Sequence, residues 1–172
     1  MRALTYKFLP PASRYAEAVA AAVQPGDCVI VERAGVRRQL IVRCPDGCGE
    51  MLSVNLDPRS GPAWHLYSRR GAWSLFPSIA RPTGCLSHFI LWRGRVLWCS
   101  GADDNETTNF TSEVDRERIV DLLRKGRSAS YVELAEQLDE IPWDVLGACR
   151  NLVREGILRE GKGRRRGIFS IS

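Results

Sequence analysis

The chain has 172 residues, of which 44% are hydrophobic and 26% are charged, a composition typical of a folded globular protein and not of a disordered one. No apolar run reaches the roughly 20 residues that a membrane helix needs, and the N-terminus lacks a signal-peptide pattern, so the sequence predicts a cytoplasmic protein with no membrane partner. The formal net charge of +5 suits contact with nucleic acid or with an acidic protein surface and requires neither.

The first 99 residues have the pattern of a β-rich domain. Ser13 can cap a short helix that runs to Val23 and stops at Pro25-Gly26. Short apolar runs rich in β-branched and aromatic residues follow, separated by turn residues, at 28–31, 39–42, 51–56, 64–67, 73–76, 89–92 and 96–98. These runs predict a compact antiparallel β domain with a short N-terminal helix over residues 1–99.

Four residues with metal-ligand chemistry occur in two close pairs on turns of this domain. Cys44 and Cys48 share a turn that contains proline and glycine, and Cys85 and His88 share a later one. Three thiols and an imidazole form a tetrahedral zinc set, and cytosolic cysteines are more often metal-bound or reduced than disulfide-bonded. The spacing therefore predicts one Zn²⁺ at one end of the β domain, with buried free cysteines as the alternative.

Beyond the β domain the sequence pattern changes. Residues 100–114 are polar and nearly free of apolar side chains, which predicts a linker. From residue 115 onward, apolar residues recur at helical spacing in three segments. A capping box of Ser130 and Glu133 opens the second segment, and Pro142 opens the third. The sequence therefore predicts three helices after the linker.

Three helices and a final basic β-hairpin resemble a winged helix-turn-helix over residues 115–172. The hairpin tip carries three cations that suit phosphate contacts, namely Arg164, Arg165 and Arg166. Three carboxylates gather at the start of the third helix and would repel DNA, namely Asp139, Glu140 and Asp144. This opposition of charges favours a protein partner, docked on Trp143 as an exposed aromatic anchor, over weak DNA binding. The predicted fold class is α+β: a zinc-stabilised antiparallel β domain followed by a winged helix-turn-helix domain.

The β domain also resembles a known family through short motifs in a fixed order. The motifs are Arg43-Cys44-Pro45, Cys48-Gly49-Glu50, Asn55-Leu56-Asp57-Pro58, Pro62-Ala63-Trp64, Ser74-Leu75-Phe76-Pro77-Ser78-Ile79 and Cys85-Leu86-Ser87-His88-Phe89. They resemble an uncharacterised bacterial domain-of-unknown-function family whose genes lie beside ubiquitin-like proteins and their activating and conjugating enzymes. Family members often carry one more cysteine in the first turn, where this chain has Asp46. The ligand set that the resemblance implies is Cys44, Cys48, Cys85 and His88.

The resemblance implies a place in a bacterial ubiquitin-like conjugation pathway, as a peptidase or isopeptidase that matures or removes the modifier. The expected partners are the ubiquitin-like protein or its activating and conjugating enzymes. A zinc ion with four protein ligands is closed to water and structural. The alternative function is therefore a non-enzymatic zinc adaptor, or a DNA-binding regulator that acts through the winged helix.

Two chemistries are open to such a peptidase. In a metallopeptidase, one zinc ligand would be replaceable, zinc-bound water would be the nucleophile and Glu50 would be the nearest carboxylate to act as base. In a serine hydrolase, His65 would be the base and Ser74, Ser78 or Ser87 the nucleophile. The motifs do not select one serine, and Ser87 can equally bond a zinc-bound sulfur.

Overall fold

The computed structural model of the chain describes residues 2–69, 71–99 and 113–172. The chain divides into two compact units, Met1–Asp104 and Asn105–Ser172. Most of the predicted linker, 100–114, lies outside the described residues. In the described part of the chain, no helix is long and apolar enough to cross a membrane.

The first unit begins with a four-stranded sheet and one helix, α1 (Tyr15–Ala21). The sheet has the order β1-β2-β3-β4, with strands β1 (Lys7–Phe8), β2 (Asp27–Arg33), β3 (Val36–Arg43) and β4 (Met51–Asn55). The β2–β3 and β3–β4 pairs are antiparallel, as the sequence predicts for this domain. β1 runs parallel to β2, a pairing that two residues are too short to indicate in the sequence.

A second sheet completes this unit. Its strands are β5 (His65–Arg69), β6 (Ala72–Phe76), β7 (Ile79–Ala80), β8 (His88–Trp92) and β9 (Arg95–Trp98). The order is β5-β6-β8-β7, and β9 also pairs with β8. Since Phe89 of β8 pairs with both Ile79 and Trp98, β7 and β9 lie on opposite sides of β8. All described pairs of this sheet are antiparallel, as the sequence predicts.

The main core of the first unit contains residues from both sheets. Side chains alternate between the two faces of a strand, so every second residue of β2 and β3 reaches this core. The buried members from the first sheet include Cys28, Ile30, Leu40 and Val42, and those from the second include Leu75, Ile79, Phe89 and Leu91. The residues between them face the other side of the first sheet, where α1 covers them: Val29, Val31 and Ile41 pack with Ala18 and Ala22.

The second unit consists of three helices and a small sheet. Its elements are α2 (Arg116–Gly126), β10 (Ser128–Ser130), α3 (Tyr131–Leu138), α4 (Pro142–Arg154), β11 (Leu158–Glu160) and β12 (Ile168–Ile171), with the antiparallel sheet order β10-β12-β11. The predicted capping box of Ser130 and Glu133 is formed, and Pro142 opens α4 as predicted. β10 is an addition, because three residues carry too little pattern to predict a strand.

The start of α4 differs from what the sequence suggests. Trp143 is only 6% exposed and stacks on Tyr131 with 6.3 Å between ring centroids, and Asp144 is fully buried. A buried tryptophan is not an exposed docking anchor, and a buried carboxylate does not face DNA. Helical spacing gives the apolar stripe of α4 but does not show that its first two turns are buried throughout. The arginines 164–166 are exposed, as expected for a hairpin tip.

Candidate active site and cysteine cluster

Three of the four predicted zinc ligands meet in one place, which we call the cysteine cluster: Cys44, Cys48 and Cys85. Their sulfur atoms lie within 4.8 Å of one another, and the Cys44 and Cys85 sulfurs are 3.7 Å apart. Two thiolates bound to one tetrahedral zinc at about 2.3 Å would lie about 3.8 Å apart. A disulfide would require a separation of about 2.05 Å. The geometry therefore fits a shared metal ion better than a disulfide.

Two turns build the cysteine cluster. Cys44 directly follows β3, and its turn is closed by Cys44 N–H donating to the Glu50 carbonyl at 2.9 Å. Cys85 lies in the loop between β7 and β8, next to Gly84, whose φ is +71°. A side chain on Gly84 would place its Cβ 2.8 Å from Arg81 Nη2 and 3.1 Å from Glu50 Oε1. Glycine therefore suits this position both for its φ and for its lack of a side chain.

Polar groups around the cluster favour thiolates. The Ser87 hydroxyl lies 3.2 Å from the Cys85 sulfur and 3.7 Å from that of Cys44. Hydrogen bonding, mostly with Ser87, lowers the pKa of Cys85 to about 6, whereas burial raises the pKa of Cys44. Arg81 Nη1 donates to the Cys85 sulfur at 3.2 Å and to the Cys48 sulfur at 3.4 Å. Since thiolates are the zinc-binding form of cysteine, these donors suit a metal site.

Glu50, the candidate metallopeptidase base, lies at the rim of this cluster. Its carboxylate forms an ion pair with Arg81, whose side chain is only 9% exposed. The carboxylate thus holds the guanidinium that donates to the sulfurs.

His88, the fourth predicted ligand, lies outside the cysteine cluster and contacts a serine. Its Nε2 atom is 2.9 Å from Ser78 Oγ, a distance that suits a nucleophile and its base. The physical reason is strand register: His88 lies opposite Ala80 on the paired strand, and opposed residues share one face of a sheet. Ser78 precedes Ala80 by two residues and therefore reaches the same face.

A short hairpin connects the Ser78–His88 pair to the cysteine cluster. Ser78 directly precedes β7, His88 begins β8, and Cys85 lies in the loop between them. The hairpin is closed by the Ile79–Phe89 and Ala80–His88 pairs and by Arg81 N–H donating to the Ser87 carbonyl at 2.9 Å. Fixing Cys85 in a metal site would therefore also restrain the separation of Ser78 and His88.

The loop between β4 and β5 brings Trp64 to Ser78. The indole N–H of Trp64 donates to the Ser78 carbonyl at 3.3 Å. Within this loop Asp57, only 2% exposed, accepts hydrogen bonds from Arg59 and Arg38. These bonds, those from Arg59 above all, hold the pKa of Asp57 well below its usual range. Sequence reasoning assigned no role to Asp57, although an aspartate before Pro58 at the end of an apolar strand is a typical loop-ordering signal.

Residues 15–99 match one protein-family model. The family is the bacterial ubiquitination-like system serine protease, BubE. The matched range contains both the cysteine cluster and the Ser78–His88 pair, and it supports the pathway that the sequence motifs predict. Comparisons with curated proteins and with solved structures found no match.

A serine protease requires a serine nucleophile and a base, and the β unit contains three candidate serines and two histidines. Ser74 is fully buried and its Oγ accepts the Arg93 N–H at 3.0 Å, which is a structural contact. Ser87 lies against the sulfurs of the cysteine cluster. His65 is exposed at the start of β5, where its ring neighbours Tyr67. Of the three candidate serines, the structure therefore brings Ser78 to a histidine, and that histidine is His88.

Proposed function

We propose that the β-rich unit is a serine peptidase of a bacterial ubiquitin-like conjugation pathway, which matures the modifier or removes it from its targets. The observation that carries the proposal is the 2.9 Å contact between Ser78 Oγ and His88 Nε2 within a stretch similar to the BubE serine proteases. The Glu50 route has less support, because Glu50 is ion-paired with Arg81 and thiolate ligands reduce the Lewis acidity of zinc.

The geometry supports a two-step acyl transfer. As Ser78 Oγ attacks the scissile carbonyl carbon, His88 Nε2 accepts the hydroxyl proton. His88 then donates this proton to the departing amine, which leaves an ester between Ser78 and the modifier. In the second step His88 takes a proton from water, the resulting hydroxide attacks the ester, and the proton returns to Ser78 Oγ.

We propose a structural role for the metal site. Cys44, Cys48 and Cys85 would hold a Zn²⁺ ion, which when bound supplies a cross-link between the turn after β3 and the loop before β8. His88 then acts on Ser78 and does not complete the ligand set. The ground for a structural role is therefore the three thiolates, which reduce the Lewis acidity of zinc, and not a closed set of four protein ligands. All six cysteines are free, which suits a reducing compartment, and we place the protein in the cytoplasm.

For residues 115–172 we retain the winged helix-turn-helix interpretation as a proposal. Its support is the order of three helices and a terminal hairpin, with β10 pairing onto β12. The exposed arginines 164–166 would give weak phosphate contacts, and a protein of the conjugation pathway is the proposed main partner. With Trp143 buried, that partner would contact other surfaces of the unit.

A serine-reactive fluorophosphonate probe and the modifier precursor together test the peptidase proposal. We expect Ser78→Ala and His88→Ala to lose both probe labelling and precursor cleavage by at least about a hundredfold, because proton transfer typically contributes 10²–10⁴ in rate. His65→Ala is the matched control and should retain both. Cleavage that survives Ser78→Ala and disappears in Glu50→Gln would instead establish the metal-dependent route.

A further inference from the structure

The short strand β7 has an unpaired edge in the described part of the chain. It pairs with β8 on one side, and it is the last strand of its sheet. Because Arg81 N–H donates to the Ser87 carbonyl, the neighbouring Ala80–His88 pair is the non-hydrogen-bonded kind. The N–H and C=O groups of Ala80 therefore point away from β8, and Ala80 is exposed.

The space beside this edge is left open by the path of β5. The pairing of β5 with β6 ends where His65 lies opposite Phe76, and the residue before His65, Trp64, is outside the sheet. The backbone N–H of Trp64 instead donates to the carbonyl of Asn55, the last residue of β4, at 2.8 Å. Among the described residues, no strand continues the line of β5 alongside β7. The Trp64 indole, bonded to the Ser78 carbonyl, bounds this space at one end.

The open edge begins at the proposed nucleophile. Ser78 directly precedes β7, and its hydroxyl lies on the face where Ala80 opposes His88. A peptide paired with Ala80 would thus end its pairing beside Ser78, whose own carbonyl is bonded to the Trp64 indole, and would bring a backbone carbonyl to the side of the hydroxyl. Pairing with a strand edge requires a row of backbone N–H and C=O groups, which an extended segment supplies and a folded surface does not.

We infer that the edge of β7 binds the C-terminal tail of a ubiquitin-like modifier as an added β-strand. This inference rests on the proposed peptidase function, since a peptidase that matures or removes a modifier cuts at the end of its tail. The backbone of the tail pairs with Ala80, and its scissile carbonyl lies at Ser78. Main-chain pairing supplies the affinity, while side chains of alternate tail residues face the Ser78–His88 side.

Ala80→Pro tests the inference on the protein side. Proline removes the outward N–H of Ala80 and is tolerated on strand edges. The pairing of β7 with β8 should remain, because the Ala80 N–H does not donate to β8. Binding of a fluorescein-labelled peptide of the modifier tail is measured by anisotropy in the full chain carrying Ser78→Ala. We expect about tenfold weaker binding when Ala80→Pro is added, as loss of one hydrogen bond predicts. Ala80→Gly keeps the N–H and should bind like the parent; equal binding of the proline variant would overturn the inference.

A scan of the peptide tests the same point without altering the fold. Methylating one backbone nitrogen of the tail at a time should weaken binding at the residue that pairs with Ala80 and not at its two neighbours, because only alternate N–H groups face a partner strand and Ala80 is the one residue of β7 that points outward. Uniform tolerance of methylation would contradict edge pairing.

The outcomes separate the two proposals. Probe labelling of Ser78 without a methylation-sensitive nitrogen in the scan supports the peptidase and contradicts the docking mode. A single methylation-sensitive nitrogen without probe labelling supports the docking mode and contradicts the peptidase.

Discussion

At the scale of single residues, the chemistry of this site depends on which neighbour each side chain meets. His88 and Cys85 are three residues apart in the chain, yet the histidine contacts Ser78 and the cysteine joins Cys44 and Cys48. His88 begins a strand, whereas Cys85 lies in the preceding loop. The two residues therefore lie in different groups of side chains.

Metal content distinguishes these two roles. We expect about one zinc per wild-type chain and loss of metal in Cys44→Ser and Cys85→Ser, because each removes one of three clustered thiolates. His88→Ala should keep its zinc and its fold while losing probe labelling. Inductively coupled plasma mass spectrometry of the purified variants measures this. Loss of zinc in His88→Ala would restore the histidine to the ligand set.

At the scale of elements, two loops hold the site in place. The loop between β7 and β8 carries Arg81, Gly84 and Cys85 around the cysteine cluster. The loop between β4 and β5 carries Asp57 and ends at Trp64, whose indole bonds to the Ser78 carbonyl. Neither loop has repetitive secondary structure beyond a short 3₁₀ turn at Pro58–Ser60, so side-chain hydrogen bonds order them together with a few backbone bonds.

Gly84→Ala tests the first loop, with Gly71→Ala as a matched control. Both glycines have a similar positive φ, +71° and +75°, so each substitution carries a similar backbone cost of about 1–2 kcal/mol. Only at Gly84 does the added methyl group meet Arg81 and Glu50. A methyl group added at Gly71 would meet no other described residue within 4 Å. We expect faster zinc release to a chromogenic chelator from Gly84→Ala than from Gly71→Ala. Equal release rates would show that the Arg81–Glu50 pair does not support the cluster.

Asp57→Asn tests the second loop through the pH dependence of stability. Arg59 and Arg38 lower the pKa of Asp57, so the folded protein favours the ionised carboxylate. This stabilisation is complete above the unfolded carboxyl pKa of about 3.9 and is lost as the pH falls toward the lower folded value. We expect Asp57→Asn to lower the melting temperature at pH 7, with a difference from wild type that narrows below about pH 4. Asp46→Asn, in the more exposed pair with Arg2, should show a smaller effect.

At the scale of the whole molecule, the chain combines a β unit that contains the candidate chemistry with a helical unit that lies outside the BubE match. Within the bounds of the two units, Met1–Asp104 has 13 basic and 8 acidic residues and Asn105–Ser172 has 12 of each, so the whole net charge of +5 lies in the first unit. DNA binding by the helical unit would therefore depend on local cations. In the helical unit the exposed arginines 164–166 are the local cluster that the sequence suggests.

Salt-dependent DNA binding tests the helical unit in the full chain. We expect duplex DNA to bind no better than about 10⁻⁴ to 10⁻⁶ M at physiological salt, the range of non-specific phosphate contact. Replacing Arg164, Arg165 and Arg166 with alanine should reduce the slope of log K against log salt by up to about three units, one per lost phosphate contact. Arg33→Ala, exposed in the first unit, is the control. Nanomolar, sequence-selective binding of duplex DNA would instead support the function as a DNA-binding regulator.

Local patterns in the sequence determined most of the elements of this protein. Short apolar runs bounded by turn residues placed β2 to β6, β8 and β9, and the helical period with the capping box of Ser130 and Glu133 placed α2 to α4. These patterns are readable because helix and strand periodicity and capping depend on residues a few positions apart. The same reasoning placed the three cysteines of the cluster in one site and named Ser78 as one of three candidate nucleophiles, but it assigned His88 to the zinc ligands.

Only the tertiary structure decided which of those residues meet. The contact of His88 with Ser78 depends on the register of β7 against β8, and the open edge of β7 depends on where β5 leaves the sheet. The partners of Asp57 come from two different elements, and the burial of Trp143 comes from packing against Tyr131. A sequence pattern shows which residues share a face of one element, but neighbours across elements are set by packing and register, which no local pattern encodes.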